Sequence, residues 1–460
     1  MNPAIPEQSR DQVSQGAGQE RKEAKPRTAD EVRLISKVIR HVIPLAVLGL
    51  FVSFIDRTNI SVAGPDMEHA IGLTPETFGL ASGLFFIAYL IFEIPSNLAL
   101  KKYGAKVWIA RIMVSWGLVC VATALVKTPT SLYVMRLLLG LAESGFYPGV
   151  LFYLGLFVPA RELTKAYALY QLGIPISLAL GSVLTAAILL LDGFLGVAGW
   201  QWVFILEGGL AVVVGVICYF VMASQPESAK WLSKQEASQL SELIKRDRKT
   251  DDDRNAHGLK AVSSVLRNKQ VWYYSIVYTF MMMGFYSVTY WLPQIIKHKF
   301  ALTNVQSGIL SSIPWLTATI ALFAVSTYVS RRGHRAAVLT IVLLTCAIGM
   351  LASSLSSNAT IAFVGLCLGA CIQAAVPLLY SFPSQHFPGA KGAVALALVN
   401  SVGQIGGFLG PYILGILRGA TGADTTGLLL LGSSFLIAAL MSTGLTKQLR
   451  KSPSYVAGIE

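Results

Sequence analysis

Twelve apolar stretches, each long enough to cross a lipid bilayer, constrain this chain more than any other feature. A spanning helix needs about 20 apolar residues. Such runs stand at 41–63, 78–100, 107–126, 131–157, 166–191 and 202–222, and six more follow at 271–296, 306–329, 336–354, 360–382, 392–417 and 427–446. In lipid only helices or closed barrels satisfy every backbone amide, and runs of this length are helical. The chain is 54% hydrophobic and 13% charged over 460 residues, with a mean hydropathy of +0.59, which requires lipid as its solvent. The expected fold is an all-α membrane protein of twelve transmembrane helices in two pseudo-symmetric six-helix halves.

The polar stretches between these runs set the expected domain organisation. Residues 1–40 are polar and charged and read as a disordered tail without a secretory signal. The first half spans 41–222, a central loop 223–270, the second half 271–447, and a short tail 448–460. Of the 37 Lys and Arg residues, 31 fall on the side that holds both termini and the central loop. Only Lys127, Lys297, Lys299 and Arg418 fall on the other side, with Arg57 and Arg136 inside spans. Both termini and the central loop are therefore expected in the cytoplasm, in a multi-pass protein of the cell inner (plasma) membrane. The net charge of +13 follows from this topology and from anionic lipid headgroups, so no nucleic-acid partner is expected. The five cysteines lie within spans, where they serve as small packing residues, and no metal site is expected.

A single offset of 229 residues superposes the punctuating residues of the two halves: Gly104 on Gly333, Gly140 on Gly369, Pro148 on Pro377, Pro159 on Pro388 and Gly181 on Gly410. Glycine and proline mark bends and close approaches, so the halves should bend alike. Parallel six-helix halves bind their substrate between them, near the midplane.

An ionisable residue inside a span is a functional-site hypothesis by default. Asp56 and Arg57 lie about 15 residues into the first run and are expected in the outer half of the bilayer. Arg136 and Glu143 lie seven residues apart on one face of the fourth span, with Glu143 near the midplane. Two carboxylates and two guanidiniums suit a cavity that alternately holds a proton or an anion. Arg57 offers a two-point grip on a carboxylate that lysine does not. The alternative is that Arg136 and Glu143 form an ion pair that only locks helices together. Glu93 and Glu207 are expected to pair with backbone or loops at helix ends. Tyr89, Gln171, Tyr286, Tyr290 and Asn400 are candidates to complete the cavity. The 229-residue offset places Gln171 on Asn400 and Arg57 on Tyr286.

The segments "FIDRTNISVAGPDM", "FEIPSNLALKKYGAKVWIARIMVSWG", "RLLLGLAESGFYPGVLFYL" and "GWQWVFILEG" together resemble the anion:cation symporter family of the major facilitator superfamily. The likeness runs over residues 40–450. That family includes bacterial carriers of galactonate, glucarate, tartrate, phthalate and hydroxyphenylacetate. By motif, the resemblance implies proton coupling at Asp56 and Glu143, substrate contact at Arg57, Tyr89 and Asn400, and Arg136 as the charge partner of Glu143. In the turn between the second and third spans, "KKYGAK" stands where the superfamily usually carries an Asp-Arg pair, so the acidic partner is missing there.

The expected activity is secondary active import of a small organic carboxylate (a sugar acid, hydroxy-dicarboxylate or aromatic acid) by proton symport through alternating access. The alternative is an organic anion or drug exporter of the same fold, working by proton antiport. The expected partners are that anion, protons and the lipid bilayer, with the chain acting as a monomer. No cofactor is expected beyond the proton as coupling ion. No enzyme activity is expected, since no span places an intramembrane His beside Ser, Asp or Cys.

Overall fold

The computed structural model describes residues 27–252, 263–387 and 390–449. Among them, the chain folds into α1 (Ala29–Ile71), α2 (Pro75–Tyr103), α3 (Ala105–Thr123), α4 (Pro129–Glu143), α5 (Phe146–Phe157), α6 (Ala160–Gln171), α7 (Gly173–Leu189) and α8 (Gly199–Val221). The connecting helix α9 (Lys234–Asp252) follows. The second half comprises α10 (Lys269–Phe300), α11 (Asn304–Leu310), α12 (Ser312–Arg332), α13 (Arg335–Leu355), α14 (Ala359–Ala370), α15 (Val376–His386), α16 (Ala390–Thr421) and α17 (Asp424–Leu449). Span 4 is α4 with α5, span 5 is α6 with α7, span 8 is α11 with α12, and span 10 is α14 with α15. Eleven spans are apolar enough to cross a membrane by length and composition alone. Span 7, α10, is 32 residues long but rich in Tyr, Ser and Thr, as befits a helix buried between neighbours. The fold is all-α, with twelve spans in two six-helix halves.

Three boundaries differ from the sequence expectation. Helix α1 begins at Ala29 rather than near residue 41, because Thr28 and Glu31 form a capping box that starts it there. Residues 1–26 of the expected tail lie outside the described residues. Helix α1 also runs on to Ile71, past the expected end at residue 63, which moves Asp56 and Arg57 from the outer half to mid-span. The stretch 223–270 is not only loop, since α9 docks against the first half. Lys37 donates to Glu236 at 2.8 Å, Arg27 to Asp247 at 2.8 Å, and His41 stacks on Trp231 with centroids 4.6 Å apart. The Lys37 hydrogen bond also holds the Glu236 carboxyl below its ordinary pKa. Residues 450–460 of the expected C-terminal tail lie outside the described residues.

The internal repeat shapes the backbone. Gly104 (φ 84°) and Gly333 (φ 73°), equivalent under the offset, both end their helices in left-handed turns that favour glycine. Thr74 caps span 2 and its equivalent, Thr303, caps span 8, accepting from the amides of Thr77 (3.3 Å) and Gln306 (3.2 Å). Span 4 breaks after Glu143, and span 10 breaks at the corresponding place, in a 3₁₀ turn over Cys371–Ala374. The expectation of shared bends holds here, although Pro388, paired with Pro159, lies outside the described residues.

The halves meet at mid-depth and at the end remote from the termini. There spans 2 and 11 cross on glycine: a Cβ at Gly79 would stand 2.5 Å from the Pro411 carbonyl oxygen, and one at Gly415 2.5 Å from that of Pro75. Asn304 donates to Asp66 across the same end. Small residues allow such close approach, and in lipid the packing itself stabilises the contact.

Candidate functional site

Four of the sequence-selected residues stand at one depth. Arg57, Tyr89, Glu143 and Tyr286 each lie 14 residues from the far end of their span, at Ile71, Pro75, Pro129 and Phe300 respectively. At 1.5 Å per residue that is roughly 21 Å. At this level a cavity opens between the halves. Its wall includes Arg57, Tyr89, Gln171, Tyr286 and Asn400, five of the nine residues singled out in the sequence.

Arg57 is the basic residue of this wall, and its guanidinium lies 4.7 Å from the Phe85 ring, 5.2 Å from Phe54 and 5.5 Å from Tyr89. Its Nη1 donates to the Tyr286 hydroxyl at 3.5 Å, so the positions matched by the offset of 229 touch across the interface. Its Nη2 donates to Glu143 Oε1 in a buried ion pair, and Ser53 Oγ donates to the same oxygen at 2.7 Å. Glu143 reaches α1 because α4 ends at that residue and the chain turns at Ser144 and Gly145. Two polar atoms of the pair, Arg57 Nε and Glu143 Oε2, are buried with no hydrogen-bond partner among the described residues. The pair therefore keeps one donor and one acceptor in reserve.

The structure places four residues elsewhere than expected. Arg136 forms no ion pair with Glu143 among the described residues, where Arg57 takes that place. Arg136 Nε donates to the Ala81 carbonyl at 3.2 Å and its Nη2 to the Tyr290 hydroxyl at 3.1 Å. Spacing put Arg136 and Glu143 on one face, but two turns of helix separate them, and each meets a different neighbour. Tyr290 accordingly holds Arg136 behind the wall rather than lining the cavity. Asp56, fully buried, points into the first half, where Trp116 Nε1 donates to it at 2.7 Å. Glu207 does not pair with backbone at a helix end. It is buried eight residues into α8 and accepts from Thr185 Oγ1 at 2.6 Å.

Sequence reasoning missed much of the second-half wall. The Tyr380 hydroxyl donates to Asn400 Oδ1 at 3.0 Å and pairs with the Tyr278 hydroxyl at 2.8 Å, and Gln373 and Gln404 complete this side. In the first half Tyr147 accepts from Gln171. Gln404 was legible as one turn beyond Asn400, and Gln373 as the offset equivalent of Ser144, where span 4 breaks. The arrangement is a cation paired with a carboxylate on one wall, faced by uncharged hydroxyls and amides on the other.

Two six-helix halves enclosing a mid-membrane polar cavity define a secondary transporter. The model of the Major Facilitator Superfamily matches residues 46–411, and the chain belongs to that superfamily. It is 34% identical to an Agrobacterium vitis protein assigned by name to tartrate transport, over 94% of this chain and 98% of that one. It is 32% identical to a quinolone resistance transporter of Acinetobacter baumannii, over 94% and 99% of the two chains. Among solved structures, a D-xylose-proton symporter aligns with a TM-score of 0.70 at 17% identity, covering 88% of this chain and 97% of that one. At that identity the likeness shows the fold alone.

Proposed function

We propose that this chain imports a small organic carboxylate across the inner membrane together with protons, by alternating access. The observation that carries the reading is the buried pair of Arg57 with Glu143 at the cavity wall. An entering carboxylate competes with Glu143 for the Arg57 guanidinium, which matches two carboxylate oxygens at once. Once displaced, Glu143 is a carboxylate left in a low-dielectric site, and uptake of a proton removes the cost of that buried charge. Binding of the anion thus favours binding of a proton, and their release is coupled in the same way. Tyr286 and Tyr89 orient the substrate carboxylate beside Arg57, and Gln171 and Asn400 contact its body. The first relatives, assigned to tartrate transport, support a carboxylate substrate.

The distribution of basic residues supports a cytoplasmic location for both termini, and in that orientation the glycine-packed end is the outer one and the conformation faces inward. Rocking of the halves about the cavity would expose it to the other side. Import of a monoanion with two protons moves net positive charge inward, so the membrane potential contributes about 2.3 kcal/mol per 100 mV.

The quinolone resistance relative supports a second reading, export by proton antiport. Proteoliposomes separate the two. Symport predicts that carboxylate uptake rises when the outside is more acidic than the lumen. Uptake driven by an acidic lumen establishes antiport instead, and a lack of transport for every carboxylate class overturns both.

A further inference from the structure

The turn that joins α2 to α3, on the side that holds the termini, carries the "KKYGAK" segment without an acidic partner, and transport through the central cavity gives it no role. Lys101 and Lys102 are exposed at the end of α2, and Lys106 stands in the first turn of α3. Arg111 lies six residues after Ala105, about 9 Å along the helix at 1.5 Å per residue. Counted from the start of α3, that is just below the headgroup layer, roughly 5–8 Å thick on each side of a bilayer. None of these four cations forms an ion pair among the described residues.

Arg111 separates this patch from ordinary surface lysines. It is half-buried, and its guanidinium stands over the Trp108 ring, 3.9 Å from the centroid. Its Nη1 donates only to the Ser115 hydroxyl, at 3.4 Å, and its Nε is buried with no hydrogen-bond partner. Trp108 is itself held, with Nε1 donating to Ser96 Oγ at 3.0 Å, so the indole is a fixed plate. Lys106 Nζ lies 5.5 Å from the ring of Tyr219 on α8, and Lys102 Nζ 5.4 Å from that of Tyr103. A guanidinium at this depth is costly unless an anion from outside the protein meets it. The internal repeat supplies the contrast. The offset of 229 puts Arg331 and Arg335 at the places of Lys102 and Lys106, but Ala337 and Thr340 at those of Trp108 and Arg111. Thr340 is satisfied within its own half, by Ser442 at 2.6 Å and the Ala336 carbonyl at 3.1 Å. Both turns carry the surface cations that topology requires, and the first adds a stacked cation at membrane depth.

We propose that Lys102, Lys106 and Arg111 bind the phosphate of an anionic phospholipid in the leaflet on the side of the termini. The guanidinium matches two phosphate oxygens at once, and the two ammonium groups add point charges beside it. Val107 and Phe220, next in sequence to Lys106 and Tyr219, are exposed and offer apolar surface to the acyl chains. The net charge of the headgroup decides which lipid is taken, because a zwitterionic headgroup brings its own cation toward three positive side chains. The site lies outside the substrate cavity, and its test needs neither substrate nor transport.

The test is native mass spectrometry of the purified full-length protein in detergent micelles, titrated with phosphatidylglycerol and, separately, with phosphatidylcholine of the same acyl chains. The wild type should bind its first phosphatidylglycerol about tenfold or more tightly than phosphatidylcholine. Arg111→Gln should lower the affinity for phosphatidylglycerol about fivefold or more, the scale of one cation at the membrane surface, with a smaller effect on phosphatidylcholine. Lys106→Gln should act in the same direction and carries the test where Arg111→Gln does not fold. Arg335→Gln, at the offset equivalent of Lys106, should leave that first lipid bound. Equal affinity of the wild type for the two lipids overturns the proposal. So does wild-type affinity for phosphatidylglycerol in Arg111→Gln or, where that variant does not fold, in Lys106→Gln, and so does loss of the lipid in Arg335→Gln. Displacement of bound phosphatidylglycerol by millimolar inorganic phosphate would make this a free-phosphate site and overturn the lipid assignment.

Discussion

Replacing Glu143 by Gln tests the coupling step directly, because the change keeps the shape of the side chain and removes its charge. In the wild type, Oε1 accepts from Arg57 and from Ser53 at 2.7 Å, and Oε2 is unpartnered. The glutamine carbonyl can accept both bonds, but its bond to Arg57 becomes one to a neutral group. Hydrogen bonds to charged groups contribute about 1.5–3 kcal/mol and neutral ones about 0.5–1.5. Arg57 is thereby released by about 1–2 kcal/mol, and a substrate carboxylate should bind roughly 5- to 30-fold more tightly. The variant also resembles a permanently protonated carrier. Exchange of labelled for unlabelled substrate at equal pH needs only binding and rocking, and should persist. Uphill accumulation needs deprotonation toward the cytoplasm, and should be lost. Both are measured in proteoliposomes with a carboxylate that the wild type accumulates, alongside direct binding by calorimetry. Accumulation at the wild-type level would refute a proton role for Glu143. A joint fall of exchange, accumulation and membrane abundance would leave the Arg57 pair as purely structural.

Arg57→Lys keeps the charge but loses the planar fork and the ring stacking on Phe85, so carboxylate affinity should fall about tenfold or more; unchanged affinity would make Arg57 a counter-ion to Glu143 only. For topology, Ser238→Cys in α9 should resist a membrane-impermeant thiol reagent on intact cells, whereas Thr130→Cys, exposed at the far end, should react. The opposite pattern would reverse the proposed orientation. Gly79→Val places a side chain against the Pro411 carbonyl, 2.5 Å from an added Cβ, and should prise open the far-end contact of spans 2 and 11. A cysteine at Val376, on the cavity wall, should then label faster from outside, and an unchanged rate would show that this crossing does not seal the cavity.

Run length and composition determined the twelve spans, because a bilayer imposes its thickness on any helix that crosses it. The two matching halves were legible from residues with special backbone roles. Glycine and proline act locally, and so Gly104 and Gly333 could be paired before any contact was known. The offset also paired Arg57 with Tyr286 and Gln171 with Asn400, and all four line the cavity. What the chain's order does not carry is the rotation of each helix about its axis and the neighbour it meets there. Arg136 and Glu143 share a helix face, yet Arg136 meets Tyr290 while Glu143 meets Arg57. Asp56 and Arg57 are adjacent, yet they face different compartments of the protein. Glu207 looked like a helix-end residue until α7 brought Thr185 against it. In each case the partner comes from another span, and helix crossing decides which side chains meet, a property of the whole packed bundle rather than of residue spacing along any one helix.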